Sequence, residues 1–96
     1  MVLDGKVALV TGAGQGVGQG IAMALAAAGA RVAVTGRTGA KLEATCDLIN
    51  SRGGEALPVV CDVKSSESLE HCVSEVVAHF GGLGILVNNA QEVPLG

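Results

Sequence analysis

The stretch Val7-Ala-Leu-Val-Thr-Gly-Ala-Gly-Gln-Gly-Val-Gly-Gln-Gly-Ile21 decides the fold of this 96-residue chain. Its apolar start predicts a buried strand that ends at Thr11, and a glycine-rich turn follows. After the turn, apolar residues recur at the spacing of one helix face: Val17, Ile21, Leu25 and Ala28. Free N–H groups at a helix start, together with the helix dipole, favour a phosphate, and glycine lets the backbone approach it closely. The stretch therefore predicts a strand, a phosphate-binding turn and a helix.

The glycine spacing narrows the kind of turn. A G-x-G-x-x-G pattern that starts at Gly12 would need glycine where Val17 stands. The pattern present is T-G-x-x-x-G-x-G, carried by Thr11, Gly12, Gly16 and Gly18. We expect Gly12 to allow the turn, Gly16 the approach of a phosphate and Gly18 a close contact between helix and strand. A glycine-rich turn without a ligand is the alternative, but the flanking strand and helix favour a binding turn.

Composition and charge limit the possible functions. Apolar residues make up 49% of the chain and Phe80 is the one aromatic residue, which predicts a single domain with an aliphatic core. The net charge is −3 and the six basic residues are scattered, so no basic stripe is present to bind nucleic acid. The apolar runs are too short to span a bilayer, and the first residues do not resemble a secretory signal. We therefore expect a cytoplasmic protein without nucleic-acid or membrane partners.

The cysteines predict no disulfide and no metal site. Cys46, Cys61 and Cys72 are odd in number and lack C-x-x-C spacing, which is typical of small apolar residues in a reducing compartment. A metal site formed by Cys72 with His71 and His79 is the alternative. Because His71 and Cys72 would lie on different faces of a helix, we expect solvated histidines instead.

Strand and helix patterns alternate along the rest of the chain, with short connections. The predicted strands cover residues 6–11, 31–36, 56–61 and 85–88, and the predicted helices cover 16–28, 40–51 and a segment from an N-cap at Ser65 or Ser66 to Phe80. This order predicts an α/β fold: a Rossmann-like, doubly wound parallel sheet that is incomplete, with strand order 3-2-1-4. Ligands bind such sheets at the carboxyl ends of the strands, here between strands 1 and 4.

Three features within these elements carry packing predictions. Pro58 lacks an N–H group and predicts an edge position for the third strand. Gly20 lies inside the first helix, where glycine costs about 1 kcal/mol relative to alanine, so we expect a packing reason for it. Small residues at positions 22, 24, 26, 27 and 28 would let the same helix lie close against a sheet. The unbroken apolar run 85–87 is typical of a fourth strand that is covered on both faces, but in residues 1–96 alone we expect this strand to be an open edge with exposed apolar residues.

The end of the second strand favours one type of dinucleotide. An acidic residue at this position would hydrogen-bond the adenosine ribose of NAD, but Gly36 stands there and Arg37 follows it. A guanidinium beside the hydroxyls of Thr35 and Thr38 suits a 2′-phosphate. The sequence therefore favours NADP(H) over NAD(H), and the alternative is that Arg37 is a solvated turn residue.

Two later motifs complete a resemblance. Asp62-Val63 follows the third strand, and Asn88-Asn89-Ala90 follows the fourth. Together with Thr11-Gly12…Gly16…Gly18, they make essentially all 96 residues resemble the N-terminal half of a short-chain dehydrogenase/reductase. The resemblance implies that the glycine motif holds the pyrophosphate, that Asp62 accepts a hydrogen bond from the adenine amino group, and that Asn-Asn-Ala steadies the sheet and lines the ribose side. The cofactor-binding set is then Gly12, Gly14, Gln15, Gly16, Val17, Gly18, Arg37, Thr38, Asp62, Val63, Asn88 and Ala90.

Three residues depart from the pattern of this family. Gln15 is neutral where many NADP-dependent relatives carry a basic residue. Gly84 stands where relatives commonly have Asp before the fourth strand, and Gln91 replaces the usual glycine after Asn-Asn-Ala. If that glycine is needed for a close backbone approach, Gln91 would move the loop or weaken cofactor binding.

The resemblance also implies a reaction. Family members transfer hydride between C4 of the nicotinamide and the carbon of an alcohol or carbonyl, using a Tyr whose pKa a nearby Lys lowers and a Ser that positions the carbonyl. This chain contains no tyrosine, so no residue is assigned a catalytic role. We expect residues 1–96 to be the dinucleotide-binding half of one domain and to be inactive alone. The catalytic half would lie outside the sequence, and the complete protein would be a homo-oligomer acting on a small alcohol or carbonyl compound.

Two other functions fit parts of the sequence. A non-catalytic nucleotide-binding or regulatory module is compatible with the absent tyrosine. An S-adenosylmethionine methyltransferase is compatible with Gly12-x-Gly14-x-Gly16, but that class would place an acidic residue where Gly36 stands and has no use for Asn88-Asn89-Ala90.

Overall fold

Strands and helices alternate through residues 1–89, which are the residues that the computed structural model describes. In chain order the elements are β1 (Val7–Val10), α1 (Gly16–Ala27), β2 (Arg31–Gly36), α2 (Gly39–Ser51), β3 (Glu55–Val60), α3 (Ser66–Phe80) and β4 (Ile85–Val87). The predicted element order is confirmed, and the observed bounds lie within one residue of the predicted ones.

All four strands form one parallel sheet in the order β3-β2-β1-β4, as the sequence predicts. β1 lies inside the sheet, where Ala8 is in register with Val32 on one side and with Ile85 on the other. β3 is an edge strand, and its Pro58 is in register with Val34 of β2. The edge position predicted from Pro58 is confirmed, because an edge strand tolerates a residue that lacks an N–H group.

The sheet separates two apolar clusters because successive side chains of a strand point to opposite faces. One cluster joins alternate residues of β1 and β2 to the buried faces of α1 and α2: Val10, Val32, Val34, Ala22, Ala26, Leu42, Cys46 and Ile49. The other joins the intervening strand residues to α3: Val7, Leu9, Ala33, Val59, Cys72, Val76 and Phe80. The result is a helix–sheet–helix sandwich with an aliphatic core, to which Phe80 is the one aromatic contributor.

The buried face of α1 is not the one that the large apolar residues predict. The residues that α1 buries are Gly18, Ala22 and Ala26, whereas Val17 is 72% exposed. Small side chains let a helix lie close to a sheet, so the glycine and alanine stripe faces inward and the larger residues one position earlier lie at its flank. Ile21 and Leu25 pack at the edge of the core, and the close approach predicted from the small residues of this helix is confirmed at Ala22 and Ala26.

α3 begins and ends as its sequence predicts. The Ser65 hydroxyl caps its N-terminus by accepting a hydrogen bond from the Ser68 N–H at 3.2 Å, and Gly81 ends it in the left-handed conformation. The Arg31 guanidinium lies 5.5 Å from the centre of the Phe80 ring at the end of the helix. Within residues 1–89, no helix is both long enough and apolar enough to cross a membrane.

The outer strand β4 is partly exposed. Leu86 is 64% exposed, and Ile85 and Val87 are only partly buried. Coverage on both faces is therefore not observed among the described residues, whereas the open edge with exposed apolar residues that the sequence predicts for residues 1–96 is confirmed. The nearby helix also leaves Val73 and Val77 partly exposed, at 37% and 43%.

The packing reason expected for Gly20 is also absent. A Cβ atom added at Gly20 would meet nothing within 4 Å, and the residue is exposed. We therefore predict that Gly20→Ala raises the free energy of unfolding by about 0.5–1 kcal/mol, since alanine loses less conformational entropy in a helix. Urea denaturation of the purified protein measures the change. A lower stability for Gly20→Ala would contradict this account of α1.

Candidate cofactor-binding site

The residues that follow the four strands lie along one end of the sheet. Backbone hydrogen bonds join them in pairs: Thr11 N–H donates to Val87 O at 3.0 Å, and Cys61 N–H donates to Gly36 O at 2.8 Å. Parallel strands place all their carboxyl ends at the same edge, which is where doubly wound sheets bind ligands. The motifs that the sequence singles out therefore share one edge of the molecule.

The glycine-rich turn is built from backbone conformations that side chains disfavour. Gly12 and Gly16 have φ values of +62° and +60°, which L-amino acids with a Cβ rarely adopt. An added Cβ at Gly16 would meet no atom within 4 Å, so conformation rather than crowding requires glycine there. α1 begins at this residue, and its N-cap, Gln15, makes no side-chain capping bond. Side chains thus leave the first N–H groups of α1 available to an anion.

Gly18 allows the closest approach in the site. A Cβ added there would collide with the carbonyl oxygen of Gly12 and lie 2.6 Å from Nδ2 of Asn89. Asn89 Nδ2 also donates to Gly12 O at 3.4 Å. The close contact expected of Gly18 is therefore made with the turn after β1 and with the segment after β4.

The hydroxyl of Thr11 joins the ends of β1 and β4. It accepts a hydrogen bond from Asn89 N–H at 2.9 Å, and it lies 3.3 Å from both Val87 O and Asn88 Oδ1, either of which can accept its proton. The predicted site residue Asn88 therefore faces Thr11, while Asn89, which is absent from the predicted set, contacts the glycine turn. The predicted residue Ala90 and the departure at Gln91 lie outside the described residues.

A cleft of about 150 Å³ opens between the glycine turn and the start of α2. Its lining contains five residues of the predicted set, namely Gly12, Gly14, Gln15, Arg37 and Thr38. Gly36, Lys41 and Leu42 complete it. The structure thus brings together the turn after β1 and the turn after β2. The sequence connects these two turns only because both are predicted to bind the same dinucleotide.

α2 is hydrogen-bonded directly to the glycine turn. The buried Thr45 hydroxyl donates to Ala13 O at 3.1 Å and accepts from Gln19 Nε2 at 3.1 Å. Nearer the cleft mouth, Lys41 Nζ donates to Gln15 Oε1 at 2.6 Å. The sequence patterns do not mark Lys41 or Thr45 as site residues. For Lys41 the available signal was its position in the first turn of a helix that starts at the carboxyl end of β2.

The other predicted residues lie outside the lining of this cleft. Gly16, Val17 and Gly18 form the first turn of α1, and the Val17 side chain is exposed. Asp62 is exposed after β3, where its Oδ1 accepts from Lys64 N–H at 3.0 Å, and Val63 beside it is partly buried. This contact is an ordinary Asx turn, which orders the loop after β3.

The departure at Gly84 is not imposed by space. Gly84 N–H donates to Val7 O at 3.0 Å, and an added Cβ would lie 4.0 Å from that oxygen. A side chain would fit at this position.

The cysteines are free and buried, which confirms their prediction as small apolar core residues. His71 is exposed and lies 3.2 Å from Glu75, while His79 packs edge-on against Phe80 with ring centres 4.8 Å apart. Among residues 1–89 no three His, Cys, Asp or Glu side chains cluster in a way that could hold a metal ion.

Burial suppresses ionisation of two of the thiols. Burial, followed by the charges of Asp47 and Glu43, raises the pKa of Cys46 to about 11. Burial also raises the pKa of Cys72 to about 12, with further contributions from the adjacent Cys61 thiol and from Glu75. The thiolate is the reactive form of cysteine, so these two side chains are chemically inert in the folded protein.

We predict slow thiol modification and a loss of stability at high pH. At pH 8 only about one Cys46 in a thousand is ionised, so iodoacetamide should label it far more slowly in folded than in denatured protein. Because folding raises both pKa values above the ordinary 9.0, the stability from these thiols is complete below that pH and is lost as the pH rises through 11 to 12. Mass spectrometry and pH-dependent melting measure both effects. Equal labelling rates in the folded and denatured protein would contradict the burial argument.

A matched pair of glycine substitutions tests the close approach in the turn. Gly18→Ala should lower the free energy of unfolding by about 1–3 kcal/mol, because the new methyl group must displace the Gly12 carbonyl. Gly20→Ala lies in the same helix but in open space and serves as the control. Urea denaturation of both variants provides the comparison. Equal effects of the two substitutions would show that the turn accommodates a side chain at position 18.

Comparison with known proteins assigns the family. The family model for short chain dehydrogenase matches residues 6–92, which is most of the chain. The chain belongs to the short-chain dehydrogenase family. This assignment agrees with the resemblance that the sequence motifs indicate, and it sets aside the methyltransferase alternative.

Named relatives and solved structures agree with this assignment. An uncharacterized oxidoreductase of Thermotoga maritima is 45% identical over 96 residues, which are 100% of this chain and 38% of that protein. A versicolorin reductase of Emericella nidulans is 42% identical over 95 residues, covering 98% of this chain and 36% of that protein. A short-chain dehydrogenase/reductase of Serratia marcescens superposes with a TM-score of 0.95 at 39% identity and covers 100% of this chain and 40% of that one.

A further neighbour contains a cofactor. A metagenomic short-chain oxidoreductase in complex with NADP superposes with a TM-score of 0.91 at 41% identity, covering 96% of this chain and 42% of that one. The present chain thus spans about two fifths of the length of such relatives.

Proposed function

We propose that this chain is the cofactor-binding part of an oxidoreductase that uses NADP(H) and acts on an alcohol or carbonyl compound by hydride transfer. The observation that carries the proposal is the cleft between the glycine turn and α2, where Arg37 brings a positive charge and Thr38 a hydroxyl to the carboxyl ends of β1 and β2. Family membership and the NADP complex of the metagenomic neighbour support a nicotinamide dinucleotide.

The residues of the glycine turn fit a diphosphate. The positive φ values of Gly12 and Gly16 shape the turn, and α1 begins there without a side-chain cap. Backbone N–H groups of Gly16, Val17 and Gly18 would bind phosphate oxygens, assisted by the helix dipole. Gln15 and Gly14 would line the adjoining wall of the cleft.

The residues after β2 fit an adenosine that carries a 2′-phosphate. Gly36 offers no carboxylate to the ribose hydroxyls, and Arg37 and Thr38 line the cleft instead. The Thr38 hydroxyl makes no capping bond to α2, although Thr38 is the N-cap residue. A guanidinium and a hydroxyl at this point would bind a phosphate. They would contribute little to the binding of a ribose that carries no phosphate.

The remaining predicted residues would complete the nucleotide site. Asp62 has a carboxylate at the carboxyl end of β3, and Val63 follows it; we assign this pair to the adenine. Asn88 and Ala90 follow β4 and are assigned to the nicotinamide ribose side. When bound, the nicotinamide supplies hydride exchange at its C4 atom, and the residues of this chain bind and orient it.

The proposal extends to the complete protein. We assign residues 1–96 to the dinucleotide-binding half of one domain, and the Ser, Tyr and Lys of the reaction to a catalytic half outside this sequence. The complete protein would be a homo-oligomer. Its compartment would be the cytoplasm, which the three free, buried thiols support.

Direct binding tests the proposed cofactor. We predict that the purified protein binds NADPH about a hundredfold more tightly than NADH, measured by the fluorescence of the reduced nicotinamide. Arg37→Met should reduce this preference about tenfold and leave the affinity for NADH nearly unchanged. Arg52→Met, at the far end of α2, is the control because it removes the same exposed charge away from the cleft.

Salt provides a second readout for the same measurement. Because the preference depends on charge, raising the ionic strength should weaken NADPH binding more than NADH binding. If the purified protein binds neither nucleotide, the proposed function is wrong. If it binds both equally, the dinucleotide assignment stands and the preference for NADP(H) does not.

A further inference from the structure

Lys41 carries a positive charge that the glycine turn itself lacks. Its Nζ donates to Gln15 Oε1 at 2.6 Å, and both side chains are exposed at the mouth of the cleft that Arg37 also lines. The turn contains no basic residue between Thr11 and Gly20. The ammonium group that reaches the turn therefore comes from the first turn of α2, four residues after Arg37.

The bond between Lys41 and Gln15 is easy to exchange. It joins an ammonium group to a neutral amide oxygen in contact with water, and such exposed bonds contribute little to stability. A phosphate oxygen carries a formal charge and is a stronger acceptor for the same ammonium group. A phosphate that enters the cleft would thus displace Gln15 from Lys41 at little cost.

The backbone around Lys41 is fixed, so only its side chain needs to move. The adjacent Leu42 is 1% exposed, and Thr45 in the next turn is hydrogen-bonded to Ala13 O. An added Cβ at Gly14 would lie 3.0 Å from the Cβ of Lys41, which shows how closely α2 approaches the glycine turn. A cation on a fixed helix loses less entropy on binding than one on a mobile loop.

We infer that Lys41 is the second cation of a 2′-phosphate site, acting with Arg37, and that its ammonium group exchanges Gln15 Oε1 for a phosphate oxygen when the nucleotide binds. This inference rests on the proposed function of the cleft. Gln15 keeps the lysine at the cleft by a hydrogen bond rather than by an ion pair, so the full charge remains available to the ligand. Lys41 of α2 thereby supplies the positive charge that position 15, occupied by the neutral Gln15, does not carry.

Two nucleotides that differ by one group test the role of Lys41. Adenosine 2′,5′-bisphosphate and adenosine 5′-monophosphate share every atom except the 2′-phosphate, and isothermal titration of the purified protein measures the affinity of each. In Lys41→Met we expect the affinity for the bisphosphate to fall about tenfold and that for the monophosphate to change less than about twofold. Lys41→Arg retains a cation and should retain most of the affinity for the bisphosphate.

Lys6→Met is the matched control. It makes the same substitution at an exposed lysine just before β1, at the opposite end of that strand from the cleft, and changes the net charge equally. It should leave both affinities unchanged. Circular dichroism of each variant verifies that the fold is retained.

The outcomes separate this inference from the function on which it rests. A tenfold loss confined to the bisphosphate, restored by Lys41→Arg and absent in Lys6→Met, supports the role of Lys41. An unchanged bisphosphate affinity in Lys41→Met overturns it and leaves the proposed cofactor intact. Equal losses for both nucleotides also overturn it, because they would show that Lys41 acts on the shape of the turn. If the unmodified protein binds neither nucleotide nor NADPH, the proposed function fails and this inference fails with it.

Discussion

The contact between Gly18 and the carbonyl of Gly12 is the constraint on which the rest of the site depends. No side chain fits between them, so α1 starts directly against the turn that leaves β1. The hydroxyl of Thr11 and the amide of Asn89 join β4 to the same point. α2 is brought to the turn from the other side by Thr45. The start of one helix, the ends of two strands and the flank of a second helix therefore all meet at the glycine turn.

The sequence predicts most of the fold because its signals are local. Apolar runs, helix periodicity and glycine positions predict every element to within one residue, and the short connections predict the strand order. Periodicity alone does not decide the face of α1, since residues 17, 21 and 25 and residues 18, 22 and 26 have the same periodicity. The small size of residues 22 and 26 indicates the face that lies against the sheet, and the structure buries both. The exposed position of Leu86 likewise depends on which elements cover β4 and not on the strand itself.

The site is predictable where it follows the backbone motif and less so where it depends on tertiary contacts. The glycine turn and Arg37 stand at positions that strand and helix patterns mark directly. Lys41 sits in a helix whose local sequence indicates a solvated residue, and only its contact with Gln15, 26 positions earlier, places it at the cleft. Separate segments thus supply the two parts of the proposed nucleotide site. The turn after β1 would bind the diphosphate, and the turn after β2 together with α2 would distinguish the nucleotides, so preference could change by substitution there without disturbing the glycine turn.

Pro58 has a consequence for how the sheet can grow. β3 and β4 are the two outer strands of the described sheet, and they are not equivalent. A strand that approached β3 from outside would find no N–H donor at Pro58, and prolines at such positions discourage pairing between edges. β4 has no proline in its three residues and leaves Leu86 accessible. The two edges of the sheet therefore differ in their capacity to extend it by another strand. The proline ring of Pro58 interrupts the hydrogen-bonding groups along β3, whereas no proline interrupts them along β4.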